Sequence, residues 1–230
     1  MLVPKPDHCR MVAYELFASQ LAIIESSEAL CTAAVAIAMH EMVDADAHAV
    51  DMKLQAIADR ARDRMGDRHA SELFACVHTV LFDDEEFRGN TEDYYNPVNS
   101  YLPAVLDTKR GLPITLTLIY KSVVERLGLR VDGIHAPCHF LAGVMRPGHE
   151  EPIYVDAFGG GTVLSRDQAF DLLDHVSGSR VPRSIQLLPR ATNRQWLSRI
   201  LQNLQAIFTQ KGRQSDLSAM LELRTLLERS

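Results

Sequence analysis

The 230-residue sequence predicts an α+β fold in which a buried helix packs on an antiparallel sheet, with helical regions before and after it. Three observations lead to this prediction. The first third of the chain is rich in helix-favouring residues, a central apolar helix precedes short strand-like runs, and amphipathic helical patterns end the chain. We expect three regions, residues 1–82, 83–180 and 181–230, which together form one compact unit.

Composition argues against several classes of protein. The chain is 47% hydrophobic and 23% charged, which is ordinary for a soluble globular protein. A net charge of −6 argues against a nucleic-acid-binding protein. No apolar run approaches the roughly 20 residues that span a bilayer, and the first residues lack the apolar core of an export signal. We therefore expect a cytoplasmic protein that binds neither nucleic acid nor membrane.

Cysteine and histidine spacing predicts no metal site and no cofactor. The four cysteines are far apart and form no CxxC pair, so neither a disulfide framework nor a zinc knuckle is indicated. The histidines of the first region show no HxxxH or HExxH spacing. We expect these thiols and imidazoles to be packing or surface groups.

The N-terminal region is predicted to form four helices. Ser26 or Ser27 is a suitable cap for the second helix, and Gly66 a suitable end for the third. Residues 70–81 carry an apolar stripe typical of a fourth helix. Residues 83–95 then change character, with six carboxylates in a spacing unlike that of an EF-hand. We expect a solvated acidic loop, anchored on the core by three aromatic residues, Phe87, Tyr94 and Tyr95.

The central helix is predicted to begin at Pro113 and to end at Gly128. Proline fits the first helical turn, where its missing N–H group costs nothing, and glycine is typical of a helix C-terminus. Leu116, Ile119 and Val123 follow helical spacing, and further apolar residues widen their face. The helix should be largely buried. Strands are predicted at residues 131–136, 140–144 and 153–155.

A turn at residues 146–149 would set the register of the last two predicted strands. Met145 would then face Glu150, and His139 would face Asp156. Directly opposed side chains lie about 4.5–5.5 Å apart at Cβ, within reach of an imidazole–carboxylate hydrogen bond. Such a bond fixes the tautomer and leaves the other ring nitrogen to act as a base. The alternatives are a purely structural bond at the sheet edge, or a two-residue loop and another register.

The central stretch resembles a known family. The runs FRGN, DYYNPVNSYLPAVLDTKRGLPITLTLIY, RLGL, GIHAPCHFL and VDAFGGG are similar to the transglutaminase-like superfamily of the papain-like cysteine-protease fold. The closer resemblance, dense over residues 81–164, is to the bacterial SirB-type invasion-regulator family. It implies that His139 and Asp156 are the second and third members of a Cys-His-Asp triad.

The first member of that triad is missing. In active transglutaminase-like enzymes a cysteine starts the buried helix, where the helix dipole and the histidine lower its pKa. Pro113 stands at that position when the LGL at the helix end is aligned, a substitution that the SirB-type family generally shares. Two replacements are conceivable. Cys138 takes the place of a glycine in the family pattern, but needs a bulge to face His139. Thr115 lies in the first helical turn and needs His139 as its base.

The remaining polar signals are expected to be structural or to line a pocket. Asn96, Asn99 and Arg110 lie beside the proposed site and are candidates to hold its loops. The glycine run at residues 159–161 has no GxGxxG or P-loop context, so we expect a flexible turn.

The C-terminal region is predicted to be a helical hairpin. Ser165 is a candidate cap for a short helix, and Thr192 or Asn193 starts a longer amphipathic one. The final pair of helices resembles one tetratricopeptide-type hairpin. Because such repeats need about three copies for independent stability, we expect the pair to pack against the central region.

These patterns favour a transglutaminase-like protein that has lost its nucleophile. It would be a binding or regulatory protein that holds an unknown protein or peptide in the former active-site cleft. The alternative is an active amide or peptide hydrolase, or an acyltransferase, which uses His139 and Asp156 with Thr115 or Cys138. The oligomeric state stays open.

Overall fold

A computed structural model of the chain describes residues 5–66, 72–145, 148 and 151–229. The first part is helical, with α1 (Met11–Leu21), α2 (Ser27–Ala38), α3 (Ala47–Met65) and α4 (Leu73–His78), which continues as a π-helical turn over Thr79–Asp84. The middle holds β1 (Arg88–Gly89), a 3-10 turn (Pro97–Ser100), α5 (Leu102–Thr108), β2 (Arg110–Gly111) and α6 (Pro113–Arg126). The strands β3 (Arg130–Ile134), β4 (Leu141–Met145), β5 (Ile153–Asp156) and β6 (Thr162–Leu164) follow, then α7 (Arg166–Ser177), β7 (Arg190–Ala191), α8 (Asn193–Gln210) and α9 (Gln214–Arg229).

The main sheet is antiparallel and has the strand order β6-β5-β4-β3-β7. The short strands β1 and β2 form a separate parallel pair. Alternate residues of the sheet enter two different cores, as the period of a strand requires. Ala142 and Val155 belong to the main core, and Leu141 and Tyr154 to a smaller core beneath α7. The predicted α+β fold is therefore confirmed.

The central helix is buried as predicted. Every residue of α6 from Pro113 to Val124 is buried, including Lys121, whose ammonium group donates to the carbonyl of Val131 at 2.7 Å and forms an ion pair with Glu125. A buried ammonium group is tolerated only when such partners replace water. The lysine thus ties the end of α6 to the first residues of β3.

The C-terminal hairpin packs on the rest of the chain. Trp196 of α8 is fully buried, its ring centroid lies 4.7 Å from that of Phe140, and its indole N–H donates to the carbonyl of Ile114 at 3.3 Å. Glu222 of α9 accepts backbone N–H groups from Asp7, His8 and Cys9, with N–O distances of 3.0, 3.0 and 2.8 Å. The hairpin therefore contacts both the central region and the segment that leads into α1.

Several helix ends were predicted from the sequence. Ser26 caps α2 by accepting the N–H of Ala29 at 3.1 Å, and Gly66 follows the end of α3. Ser165 and Thr192 each form a capping box with the Gln three residues later. The predicted fourth helix appears as α4 and its π turn, and residues 70–71 lie outside the described residues.

The acidic loop differs from prediction in its aromatic residues. Phe87 is buried as expected, but Tyr94 is 37% exposed and Tyr95 55% exposed, so the expectation that both tyrosines anchor the loop was wrong. Side-chain amides hold the loop instead, as described below. The loop can therefore keep its conformation while its tyrosines face solvent.

Candidate functional site

His139 and Asp156 form a buried hydrogen-bonded pair. The Nε2–Oδ1 distance is 2.9 Å, and the two residues are only 4% and 5% exposed. Oδ1 also accepts the backbone N–H of Phe158 at 3.1 Å. Because an ionised carboxylate only accepts hydrogen bonds, the proton lies on Nε2. Among the described residues, none makes a hydrogen bond to Nδ1 of His139.

The predicted pair forms, although the predicted register was wrong. The structure pairs Ala142 with Val155 and Val144 with Ile153, two residues away from the expected pairing. Of the predicted turn at residues 146–149, only Gly148 lies within the described residues. A shift of two residues keeps alternate side chains on the same face of a sheet. His139 and Asp156 are therefore diagonal neighbours, a separation that long side chains can bridge.

The glycine run after β5 holds Asp156 in place. The N–H of Gly161 donates to the Asp156 carbonyl at 2.9 Å, and Gly160 and Gly161 take φ values of 69° and 79°, which glycine adopts at little cost. A Cβ atom at Gly159 would lie 2.6 Å from Asp156 Oδ2. The run is a turn, as predicted, and it is packed directly against the carboxylate.

The start of α6 carries no thiol. Pro113 occupies the first turn and is buried, after Leu112 at the N-cap position. Thr115 is fully buried, and its Oγ1 atom has no hydrogen-bond partner in the described part of the chain. Its backbone N–H donates to the Leu112 carbonyl at 3.1 Å. The first turn of α6 thus holds a proline ring, which cannot react, and a buried threonine.

Cys138 lies beside His139 in an unusual backbone conformation. It is exposed, and its φ of +57° is in the left-handed region that favours glycine. Glycine would adopt this conformation at little cost. Because β4 begins only at Leu141, the strand alternation expected to separate Cys138 from His139 does not apply to these two residues.

The predicted polar neighbours divide into two groups. Asn96 caps the 3-10 turn through Val98 N–H at 3.1 Å. Asn99 is buried, and its amide donates to the carbonyls of Asp93 at 2.6 Å and Tyr94 at 3.2 Å. These two asparagines therefore shape the loop that carries the tyrosines.

Arg110 binds elsewhere. Its guanidinium donates to the carbonyls of Glu86 at 2.8 Å and Lys109 at 3.0 Å. It holds the acidic loop at the β1–β2 pair and makes no hydrogen bond to the His139–Asp156 pair.

An aromatic rim that the sequence pattern did not reveal begins at the pair and leads to the surface. We use this name for Tyr94, Tyr95 and Phe158. Ring centroids lie 5.3 Å apart for Tyr94–Tyr95, and 6.1 Å apart both for Tyr94–Phe158 and for Phe158–His139. The rim thus runs from solvent to the buried imidazole. Phe158 stands in the VDAF run, but nothing in the local spacing places it against Tyr94.

Two histidines near the site have lowered pKa values. Burial lowers the pKa of His78 to about 4; its Nε2 lies 3.0 Å from the Tyr120 hydroxyl, and it also bonds the backbone of Gly161. Burial, and then the charge of Arg199, lower the pKa of His135. Both imidazoles therefore favour the neutral form.

Carboxylates of the acidic loop form ion pairs with basic side chains. Glu85 pairs with Arg60 and Lys109, and Asp84 pairs with Arg64 at 2.5 Å. Burial raises the pKa of Glu85, but these two ion pairs outweigh it and the pKa is lowered.

Within the described ranges, no group of three or more His, Cys, Asp or Glu side chains is arranged to hold a metal ion. In the same ranges, no helix has the length and apolar character needed to cross a bilayer.

A family model described as the transglutaminase-like superfamily matches residues 48–202, which include the buried helix, the His139–Asp156 pair and the first turns of α8. The chain belongs to this superfamily. No solved structure gives a significant match.

Relatives of this transglutaminase-like chain have been described in bacteria and mammals. It is 34% identical to a UPF0162 protein of Xylella fastidiosa strain 9a5c over 188 residues, which cover 80% of this chain and 66% of that protein. It is 33% identical to F-box only protein 21 of Mus musculus over 116 residues, 47% of this chain and 18% of that protein. A UPF0162 protein of Vibrio cholerae is 27% identical over 109 residues, 47% of this chain and 40% of that protein. The chain thus spans just under two thirds of the length of the Xylella protein.

Proposed function

We propose that this transglutaminase-like chain is a non-catalytic binding or regulatory protein, which holds a protein or peptide segment at the aromatic rim. The observation that carries the proposal is Pro113, which stands at the start of α6 where the superfamily's enzymes have their cysteine. The rest of the catalytic arrangement, the His139–Asp156 pair, is intact. A cytoplasmic location and membership of the SirB-type family belong to the same proposal and rest on the sequence patterns.

Burial supports the absence of chemistry. A general base must come within about 2.6–3.2 Å of the proton that it removes. His139 is 4% exposed, and Thr115 is fully buried. Neither side chain is accessible to a substrate in this conformation. The pair then serves to join the turn before β4 to the end of β5, an interaction that stabilises the surface around it.

Exposure of the aromatic rim supports binding. Tyrosine supplies a large contact area at a low cost in side-chain entropy, and exposed tyrosines are enriched at binding surfaces. Tyr94 and Tyr95 are exposed while Asn99 fixes the backbone beneath them. A surface held in this way loses little conformational freedom when a partner binds.

The alternative function is acyl transfer with Cys138 as nucleophile. Its exposure and its position next to His139 favour this candidate over Thr115. The Cys138 sulfur would attack an amide carbonyl as His139 takes the thiol proton, and the amine would leave with that proton. Water would then hydrolyse the thioester, releasing the acid and restoring the thiol.

Comparison of the wild type with the His139→Ala and Cys138→Ser variants tests the two functions. The assays are the release of a fluorogenic amine from peptide amides and the transfer of an amine dye to glutamine peptides. The proposal predicts no turnover above buffer for any of the three proteins. Turnover that both substitutions abolish would establish the acyl-transfer alternative, whereas turnover lost only in His139→Ala would point to another nucleophile. Either result would overturn the non-catalytic proposal.

A further inference from the structure

Arg199 has a half-buried guanidinium group with no anionic partner among the described residues. It lies on α8, is half-buried, and donates from Nη1 to His135 Nε2 at 3.0 Å. No carboxylate lies within ion-pair distance of it anywhere in the described ranges. Other half-buried arginines of the chain, such as Arg126 and Arg213, do have carboxylate partners. A partly desolvated guanidinium group with only a neutral acceptor retains unused donors, since arginine has five.

The partner of Arg199 is a neutral imidazole. His135 accepts the hydrogen bond, and burial together with the Arg199 charge lowers its pKa. His135 in turn lies 6.1 Å from Phe140, ring to ring, at the base of the turn that carries Cys138 and His139. The imidazole thus orients the guanidinium group and leaves its positive charge uncompensated.

Arg199 and the aromatic rim share one surface. His135, which Arg199 contacts, lies 6.1 Å from Phe140, and the neighbouring His139 lies 6.1 Å from Phe158 of the rim. Burial raises the pKa of Tyr94 and the charge of Arg199 opposes that rise, which agrees with this proximity. The surface beside the rim therefore carries a positive charge, although the chain as a whole carries a net charge of −6.

We infer that the rim binds an extended segment of a partner protein, with the carboxylate of an Asp or Glu side chain on Arg199 and flanking residues along Tyr94 and Tyr95. Arginine binds carboxylates in a bidentate geometry, and such charge-assisted bonds are stronger than neutral ones. A strand rises about 3.3 Å per residue, so a few residues suffice to follow the rings. A side-chain carboxylate, unlike a chain terminus, lets the main chain continue in both directions. The inference rests on the proposed function, because the same site would have to bind without turning its ligand over.

The test uses an array of decapeptides with Asp, Glu, Asn or Gln fixed at a central position and all other positions randomised, each with a free or an amidated C-terminus. The full chain is compared with Arg199→Gln, in which glutamine can still donate to His135. Arg180→Gln is the control, since Arg180 is an exposed arginine in the segment after α7. Thermal unfolding checks that each variant is folded.

We expect the wild type and Arg180→Gln to retain Asp and Glu peptides about tenfold better than Asn and Gln peptides, a difference of one hydrogen-bonded charge pair. Arg199→Gln should lose this preference, and Tyr95→Ala should weaken binding of all four sets alike.

Equal binding of acidic and amide peptides, or a preference that survives in Arg199→Gln, overturns the inference while leaving a binding function intact. Binding that is lost on C-terminal amidation, whatever the central residue, assigns Arg199 to a chain terminus and also overturns it. Cleavage of bound peptides would instead overturn the proposed function, and absence of any binding would overturn both.

Discussion

Gly159 lies so close to Asp156 that a Cβ atom on it would stand 2.6 Å from Oδ2. Only hydrogen fits between the backbone of the glycine turn and the carboxylate. The orientation of Asp156, and through it the tautomer of His139, therefore depends on a residue that has no side chain.

The Gly159→Ala substitution should displace the Asp156 carboxylate. We expect it to weaken the bond to His139 and to lower the free energy of unfolding by about 1–3 kcal/mol, the usual cost when a buried hydrogen-bonded group loses its partner. Urea unfolding measures the stability, and nitrogen NMR of the imidazole reports the tautomer. Gly160→Asn is the control, because asparagine tolerates the φ of 69° and nothing lies within 4 Å of the added Cβ. An unchanged His139 signal in Gly159→Ala would contradict the expectation.

The Pro113→Cys substitution should create a thiol that His139 activates. In a Cys138→Ser background, we expect iodoacetamide to label the new cysteine with an apparent pKa below the ordinary value of about 8.5, since a helix N-terminus and a histidine both favour the thiolate. The rate is measured against pH by mass spectrometry. Addition of His139→Ala should raise the apparent pKa. Labelling that is the same with and without His139 would show that Pro113 does not occupy the nucleophile position.

The backbone at Cys138 should favour glycine. A left-handed conformation costs a residue with a Cβ about 1–2 kcal/mol, and glycine avoids this cost. Glycine also increases the conformational entropy of the unfolded chain, which offsets part of the stabilisation. We therefore expect Cys138→Gly to be more stable than Cys138→Ala by about 1 kcal/mol, measured by denaturant unfolding. The alanine variant is the matched control, because it removes the thiol and keeps the strain. If alanine proved the more stable of the two, the backbone strain inferred at φ +57° would be refuted.

Acid should destabilise the fold through His78. Its pKa is lowered from 6.5 to about 4 by burial, so the unfolded chain takes up a proton on this residue over that pH range and the native chain does not. Stability should fall as the pH drops from 6.5 towards 4, with a slope from this group of up to about 1.4 kcal/mol per pH unit.

The His78→Phe variant isolates this contribution. It loses the hydrogen bond to Tyr120 and is expected to be less stable at pH 7, but its unfolding free energy should vary less between pH 4.5 and 6.5 than that of the wild type. His175→Phe, at an exposed position, serves as the control and should keep the wild-type slope. Equal slopes in His78→Phe and the wild type would exclude His78 as the source of acid sensitivity.

Local sequence patterns predicted the parts of the site that depend on interactions between residues close in sequence. Pro113 starts a buried helix because its missing N–H group is harmless there, and the apolar spacing after it selects the buried face. The His139–Asp156 bond was predicted with the wrong register, and it formed because an error of two residues does not change the face of a strand.

Contacts between distant segments could not be read from the sequence. Tyr94 and Tyr95 were expected to be anchors because aromatic residues are usually buried, yet asparagine side chains hold their loop and leave both rings exposed. Arg199 meets His135 only because α8 packs beside the turn before β4. No local spacing encodes such a contact.

The sequence by itself therefore determined the class of fold, the limits of the buried helix, the absence of a cysteine at its start and the identity of the His–Asp pair, all of which follow from hydrophobic periodicity, capping and motif. The tertiary structure alone decided the strand register, the exposure of the aromatic rim and the uncompensated charge of Arg199. These depend on which segments pack together, and packing is set by the whole chain's burial of apolar surface rather than by any one stretch.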